Sequence, residues 1–349
     1  ILDLCFECKA CTAECPSNVN MAKLKYEFLD NYYRENGQNL RNIMFGNIAT
    51  ISKLGTFFAP LSNWVINSRT SKELLESQGI DSRRTLPKFS NQSLTQWFKA
   101  RGGSKITGPS MGQVVLFPDT FTNFNYPHIG KAAVKVLEHL GYEIVIPSVK
   151  CCGRPMLSAG MIDKAKSNAQ FNVKILLKHI RQGAKIVGIE PSCILSFRDD
   201  YKDLISDRGD FSEIAENTML IDEFLTHAQA VDGATLNLSQ STSEVLLHSH
   251  CHQKALVGSK KSMELLGSIP KCNISEIDSG CCGMAGSFGY KSEHYDVSMK
   301  AGNRSLFPTI RASDEKAIVV SDGTSCRQQI QDGTGVKAMH LVELIADLI

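Results

Sequence analysis

The tripeptide Cys151-Cys152-Gly153 returns as Cys281-Cys282-Gly283, 130 positions on, and the chain around it returns as well. Pro191-Ser192-Cys193 is answered by Thr324-Ser325-Cys326 at an offset of 133. Upstream, Val114-Val115-Leu116-Phe117-Pro118-Asp119-Thr120 is answered by Val245-Leu246-Leu247-His248-Ser249-His250-Cys251 at an offset of 131, and Met219–Leu225 resembles Met339–Ile345. Four elements in one order at nearly constant offsets predict two copies of a domain of about 120 residues. The join falls in the polar stretch 232–243.

Within the first copy, the apolar run 114–117, a helical pattern over 129–140 stopped by Gly141, a strand at 142–146, a helix near 165–180 and a strand at 185–189 alternate. This texture predicts a parallel sheet with helices on both faces. The cysteines follow the strands, and the carboxyl ends of parallel strands share one rim. Cys251, Cys281, Cys282 and Cys326 are therefore expected to converge, as a second metal centre, a zinc site or a plain thiol cluster. The first copy is degraded: Thr120 stands where Cys251 predicts a thiol, leaving Cys151, Cys152 and Cys193 as a weaker set with Glu190 as a candidate oxygen ligand. His248, His250 and His252 beside Cys251 could assist such a centre, but strand alternation sends them to one face and Cys251 to the other, so they read as surface or packing residues. Gly283-Met-Ala-Gly286-Ser-Phe-Gly289 lacks the spacing of a dinucleotide-binding loop and reads as a turn around the centre. The pair Asp199-Asp200 reads as solvated.

Far upstream stands Cys5-Phe-Glu-Cys8-Lys-Ala-Cys11-Thr-Ala-Glu-Cys15-Pro16. C-x2-C-x2-C-x3-C-P spacing suits a [4Fe-4S] cubane, whereas structural zinc sites separate two Cys pairs by a longer insert. In proteins with two such motifs the fourth Cys ligates the other cluster. Cys15 therefore either serves a second cluster or closes this one. No second such run exists in these 349 residues, and the chain opens at Ile1, which reads as a fragment of a longer polypeptide. After Pro16, Met21, Leu24, Phe28, Leu29 and Tyr32 fall on one helical face, predicted to pack under the cluster loop and to end at Gly37. The pattern stays helical or irregular to about Arg101. Leu54–Ile66 is aromatic-rich and reads as a helix pair with a Pro break filling the local core, rather than as a membrane- or partner-facing surface.

Lys+Arg 38 against Asp+Glu 36, with no basic run, argues against nucleic acid. Twelve cysteines, several of them adjacent or in metal spacing, suit a reducing cytoplasm better than a disulfide framework. No apolar run of about 18 residues occurs, so no transmembrane segment is expected, and a peripheral place on the inner membrane stays open.

The paired Cys-Cys-Gly with later Ser-Cys resembles the cysteine-rich CCG domains of heterodisulfide reductase and of the iron–sulfur subunits of glycolate oxidase and anaerobic glycerol-3-phosphate dehydrogenase. The phrases Leu2–Cys11, Glu14–Lys25 and Leu116–Asn123 look similar to bacterial FAD-linked oxidases of the D-2-hydroxyglutarate dehydrogenase type. The resemblance implies an α+β multidomain chain: an α-helical ferredoxin-type domain at 1–108, a degenerate CCG domain at 109–235 and a second at 236–349. It implies that a full motif carries a leading Cys and a closing C-x-x-C. Here Glu190-Pro-Ser-Cys193 and Gly323-Thr-Ser-Cys326 have each lost the first closing thiol. A five-thiol noncubane cluster is therefore not expected.

On the same resemblance, the chain is the electron-transfer part of an FAD- and [4Fe-4S]-dependent D-2-hydroxy acid dehydrogenase. D-2-hydroxyglutarate is the first expected substrate and D-lactate the second. Cys5, Cys8, Cys11 and Cys15 bind the cluster, FAD sits in a preceding domain, and no catalytic residue lies in this chain. The acceptor is a quinone or electron carrier, and a homo-oligomer is open. A separate iron–sulfur subunit and a non-redox zinc-stabilised scaffold are the alternatives.

Overall fold

A computed structural model describes residues 2–349. Its first hundred residues are helical, with Met21–Asn36, Leu40–Gly46, Ile48–Phe57, Leu61–Asn67, Arg69–Ser77 and Leu94–Ala100 as the main pieces. Local chemistry sets the ends. The Asn20 side chain accepts from Lys23 N–H to open the first of these helices, and Gly37, at φ 77°, closes it. Ser93 and Gln96 form a reciprocal capping box at the last.

Two expectations for this region are corrected. Met21, Leu24, Phe28 and Tyr32 face solvent, while Ala22, Lys25 and Tyr26 turn inward. The inward face is chosen by polar ends that reach buried charge, Lys25 to Glu7 and Tyr26 to Arg154, which outweighs the apolar periodicity. Leu54–Ile66 does form a helix pair around Pro60, but Leu54, Phe57, Phe58, Leu61, Trp64 and Val65 are exposed rather than filling a core. The first of the two turns its small residues inward instead: Ser52, Gly55 and Thr56 are buried, and Thr56 Oγ1 donates to Phe124 O.

Beyond an irregular stretch, seven parallel strands build two sheets. β1 (Gln113–Phe117), β2 (Glu143–Val145), β3 (Lys185–Gly188) and β4 (Thr218–Leu220) lie in the order β2-β1-β3-β4. β5 (Glu244–Leu247), β6 (Asn273–Glu276) and β7 (Ile318–Val320) lie in the order β6-β5-β7. The registers repeat as the sequence does: Gln113 pairs with Glu143 as Glu244 pairs with Asn273, and Leu116 pairs with Val187 as Leu247 pairs with Val320. A fourth strand of the second sheet is reduced to the single bridge Val320 to Met339, the counterpart of Val187 to Met219.

Each central strand is buried on both faces. Val114 and Leu116 share one core with Val245 and Leu247, sealed by the helices Pro127–His139 and Leu341–Leu348. Val115 and Phe117 turn into a second core with the helix Ile162–Ile180, and Leu246 into a third. Each wholly buried aliphatic side chain contributes roughly 1.5–3 kcal/mol. The two copies thus fuse back to back, leaving their carboxyl-end loops free to meet the helical region.

Candidate metal centres and the cavity between the repeats

The Cys5–Pro16 loop presents backbone N–H groups to its own sulfurs. Glu7 N–H donates to Cys5 Sγ at 3.4 Å, and Met21 N–H to Cys11 Sγ at 3.4 Å. Ala10 N–H serves Cys8, and the N–H groups of Val19, Ser17 and Asn18 hold the Cys15 thiol below its ordinary value. This geometry requires left-handed backbone at Glu7 (φ 55°), Lys9 (φ 63°) and Asn18 (φ 53°). Amide dipoles turned on four sulfurs suit the negative charge of a thiolate-ligated iron–sulfur cluster, so the donor set fits the group. Burial raises the Cys8 thiol, and the thiols of Cys251, Cys5 and Cys11 add to the rise.

The loop is pinned by charge. Lys9 is wholly buried, and its Nζ donates to Asp199 Oδ2 at 2.6 Å and to both Asp200 oxygens at 2.9 Å. The expectation that Asp199 and Asp200 are solvated is therefore wrong. Asp200 is buried, and although burial acts to raise Asp199, Lys9 and Lys23 hold it below its ordinary value. Glu7 meets Lys25 at 3.1 Å and Arg154 at 3.6 Å, and Arg154 lies 3.5 Å from Asp200. Lys9, Lys23, Lys25 and Arg154 thus offset Glu7, Asp199 and Asp200, which is the condition for keeping such charges out of water. Nothing in the local pattern of Lys9 or Arg154 marked them in advance.

Around the second repeat, the loops after β5, β6 and β7 bring Cys251, Cys281, Cys282 and Cys326 to one cavity of about 190 Å3, as the rim argument expects. Cys193, Glu190 and Arg154 of the first repeat and Glu7 of the cluster loop complete its wall. Cys281 donates to Cys251 and lowers it to about 7 against burial, with the His250 imidazole beside it adding to the fall. Cys281 and Cys326 likewise lower Cys282. The helix Ala10–Glu14 packs on Cys251–Leu256, so the two cysteine sets are neighbours.

Two glycines make room. Gly283, at φ 94°, would press a Cβ to 2.2 Å from the Ser298 carbonyl oxygen, so only glycine fits the turn after the Cys pair. Gly323 stands where a closing thiol was expected. A Cβ there would lie 2.3 Å from His250 Cδ2, so the imidazole has taken the space of that thiol. As anticipated, Ala285, Gly286 and Ser287 of the glycine-rich stretch line the cavity.

The histidines depart from expectation. β5 ends at Leu247 and a helix begins at Cys251, so strand alternation does not apply to them, and none lies at the surface. His252 Nε2 donates to Glu7 O at 2.8 Å, burial holding its ring neutral. His250 Nδ1 accepts from His252 N–H at 3.1 Å and caps the helix. His248 lies with Cys282 and Cys326, their ligand atoms all within 4.8 Å of one another.

In the first repeat, Cys152 Sγ lies 3.0 Å from Cys193 Sγ, with Cys151 in contact with Cys152. Thr120 touches Cys151, as the position of Cys251 foretold. Glu190 is not gathered into a ligand set with these thiols. Its Oε2 accepts from Thr324 N–H at 2.8 Å, capping a helix of the other repeat.

A cysteine-rich domain family, CCG, matches residues 116–198 and again 245–331. The C subunit of the anaerobic glycerol-3-phosphate dehydrogenase of Escherichia coli (strain K12) is 30% identical over 314 residues, covering 89% of this chain and 78% of that protein. The chain belongs to this family of CCG-domain proteins. Within it, the D-2-hydroxyglutarate dehydrogenase of the same strain is 24% identical over 99% of the chain, which spans 34% of that longer protein. Lactate utilization protein A of Bacillus subtilis (strain 168) is 26% identical over 67% of the chain and 98% of its own length. The CCG matches begin in β1 and β5, so they fall on the two sheets and their cysteine rims. Among the described residues no helix is long and apolar enough to cross a membrane.

Proposed function

We propose that this chain is the iron–sulfur electron-transfer part of an FAD-linked dehydrogenase. Cys5, Cys8 and Cys11 hold a [4Fe-4S] cluster, with Cys15 on the same or an adjoining cluster, in a ferredoxin-type helical domain over 1–108 that precedes CCG domains at 109–235 and 236–349. The cluster supplies one-electron transfer between flavin and acceptor. The observation that carries the reading is the ring of N–H donors on the Cys5–Cys15 sulfurs, a feature with no use to neutral buried thiols. Lys9, Glu7 and Arg154 hold that loop against the repeats, and the packing of Ala10–Glu14 on Cys251–Leu256 keeps it beside the cavity.

The substrate belongs to the flavin part. D-2-hydroxyglutarate is the first candidate, because that relative aligns with 99% of the chain, and D-lactate is the second. Glycerol 3-phosphate competes on the higher identity of the glycerol-3-phosphate dehydrogenase relative. That relative and lactate utilization protein A also favour a second reading, a separate iron–sulfur protein that docks to a flavoprotein. An in-frame FAD domain upstream in the gene selects the first arrangement and a start codon close upstream the second. The acceptor is a quinone or a soluble carrier, reached from the cytoplasm or the inner membrane surface.

Iron, sulfide and EPR measurements on anaerobically purified full-length protein test the reading. A brown protein with a reducible cubane signal is expected, and C8S should lose that signal and at least ten-fold of electron transfer to the acceptor. A colourless zinc protein, or C8S with full turnover, would overturn it.

A further inference from the structure

We propose that Lys25 sets the reduction potential of the N-terminal cluster, its buried ammonium favouring the reduced state, with Glu7 as the opposing charge. The proposal rests on the cubane reading above and adds to it a residue outside the cysteine run. The helix Met21–Asn36 has an apolar stripe to bury and buries Lys25 instead, at 6% exposure. Taking an ammonium out of water is costly unless other charges offset it. Lys25 Nζ donates to Cys5 O at 2.9 Å and meets Glu7 Oε1 at 3.1 Å. Both partners lie inside the ligand run, so the ammonium is held against the backbone that carries the first two sulfurs.

Glu7 is tied down more heavily than a partner for Lys25 requires. Its carboxylate also accepts from Ser158 Oγ and lies 3.6 Å from Arg154. Its carbonyl accepts from His252 Nε2 at 2.8 Å, and its own N–H donates to Cys5 Sγ at 3.4 Å. The helical region and both repeats therefore all hold this one residue. Fixed in this way, the pair cannot turn away when the charge beside it changes, and a preorganised charge in a dry setting acts more strongly than one that solvent must reorganise around.

The other cations around the loop are already paired elsewhere. Lys9 and Lys23 turn onto Asp199 and Asp200, Arg154 lies between Glu7 and Asp200, and Lys291 and His294 face Asp3. Among the described residues, Lys25 alone brings a cation onto the backbone of the ligand run. A thiolate-ligated iron–sulfur cluster is anionic, and one electron from reduced flavin makes it more so. A cation nearby stabilises the added charge and raises the potential, and a carboxylate does the reverse. At an effective dielectric constant of about 20, a unit charge roughly 10 Å from an added electron alters the equilibrium on the order of ten-fold.

A redox titration followed by EPR, on the full-length protein purified without oxygen, tests the assignment. K25M should lower the cluster midpoint by at least about 59 mV, a ten-fold change in a one-electron equilibrium, and K25R, which keeps the charge, should restore most of it. E7Q, which keeps an oxygen acceptor for Lys25 and Ser158 but removes the charge, should raise the midpoint by a like amount. A merely structural role would not move the two variants in opposite directions. An unmoved midpoint in K25M with its cubane signal intact, or a fall in both variants, would overturn the proposal and leave the cubane standing. If K25M takes up no cluster, E7Q decides, and a midpoint that does not rise overturns the proposal. A wild type without a cubane signal would overturn the cubane reading itself, and this inference with it.

Discussion

Asp222 is wholly buried, accepting from Gln253 Nε2 at 2.9 Å and from Ser262 Oγ, and burial, with the Asp322 carboxylate adding, raises it to about 7. An unfolded Asp titrates near 3.9. Below that pH both states carry the proton and its contribution is complete; as pH climbs to about 7 the unfolded state ionises first and stability is lost; above 7 the loss levels off. D222N keeps the acceptor oxygen and removes the titration. Its unfolding free energy should therefore gain on the wild type between pH 4 and pH 7 and gain no further above, by about 4 kcal/mol. A constant offset at all pH values would contradict the assignment. At this scale the sequence was read well where chemistry is carried by residue type, as with the cysteines. It was read badly where burial decides. Asp199-Asp200 looked solvated because nothing nearby in sequence shows that Lys9 comes from 190 positions away. His248, His250 and His252 were assigned to the surface or to packing by an alternation that stops where β5 ends, at Leu247.

Among the elements, the repeat was the most legible feature. Offsets of 130, 131 and 133 in sequence return as equivalent strand registers, since a duplicated sheet must keep its pairing to keep its core. The helix Met21–Asn36 was the least legible in its orientation. Its apolar stripe is real, yet the buried face is the one bearing Ala22, Lys25 and Tyr26. Phe28, 52% exposed, should therefore accept Ser with a stability change within about 0.5 kcal/mol, while Ala22→Leu on the tight inner face should cost about 1–3 kcal/mol. Thermal melts of the two variants decide between the observed face and the periodic one; a large loss for F28S would favour the latter. The cysteine rims needed no such arbitration, because a strand end fixes the position of the residue after it.

On the scale of the whole molecule, the helical region is clasped from both sides. Lys9 reaches Asp199 and Asp200 of the first repeat, and Arg84 reaches Gln329 at 2.7 Å and Asp332 at 3.2 Å in the second. K9M removes the buried cation shared by Asp199 and Asp200, leaving them only Lys23 and Arg154, and should cost about 3 kcal/mol, the lower end for breaking a buried pair. Because the lysine joins units, the loss should show in calorimetry as an early transition of the N-terminal region, ahead of the sheets. A single unshifted transition would mean that the pair is dispensable. How the helical region seats on the repeats was not legible, for it depends on partners far apart in sequence, such as Lys9 with Asp200 and Arg84 with Gln329.

Glu190 and Gly323 stand at the same place in the two repeats, yet one is a carboxylate that reaches across and the other is the bare helix start it reaches for. A duplication begins with interchangeable halves. Here the halves have become plug and socket: the first repeat supplies the carboxylate and the second the helix start that it caps. The molecule has given up its internal symmetry, and neither half can any longer stand in for the other.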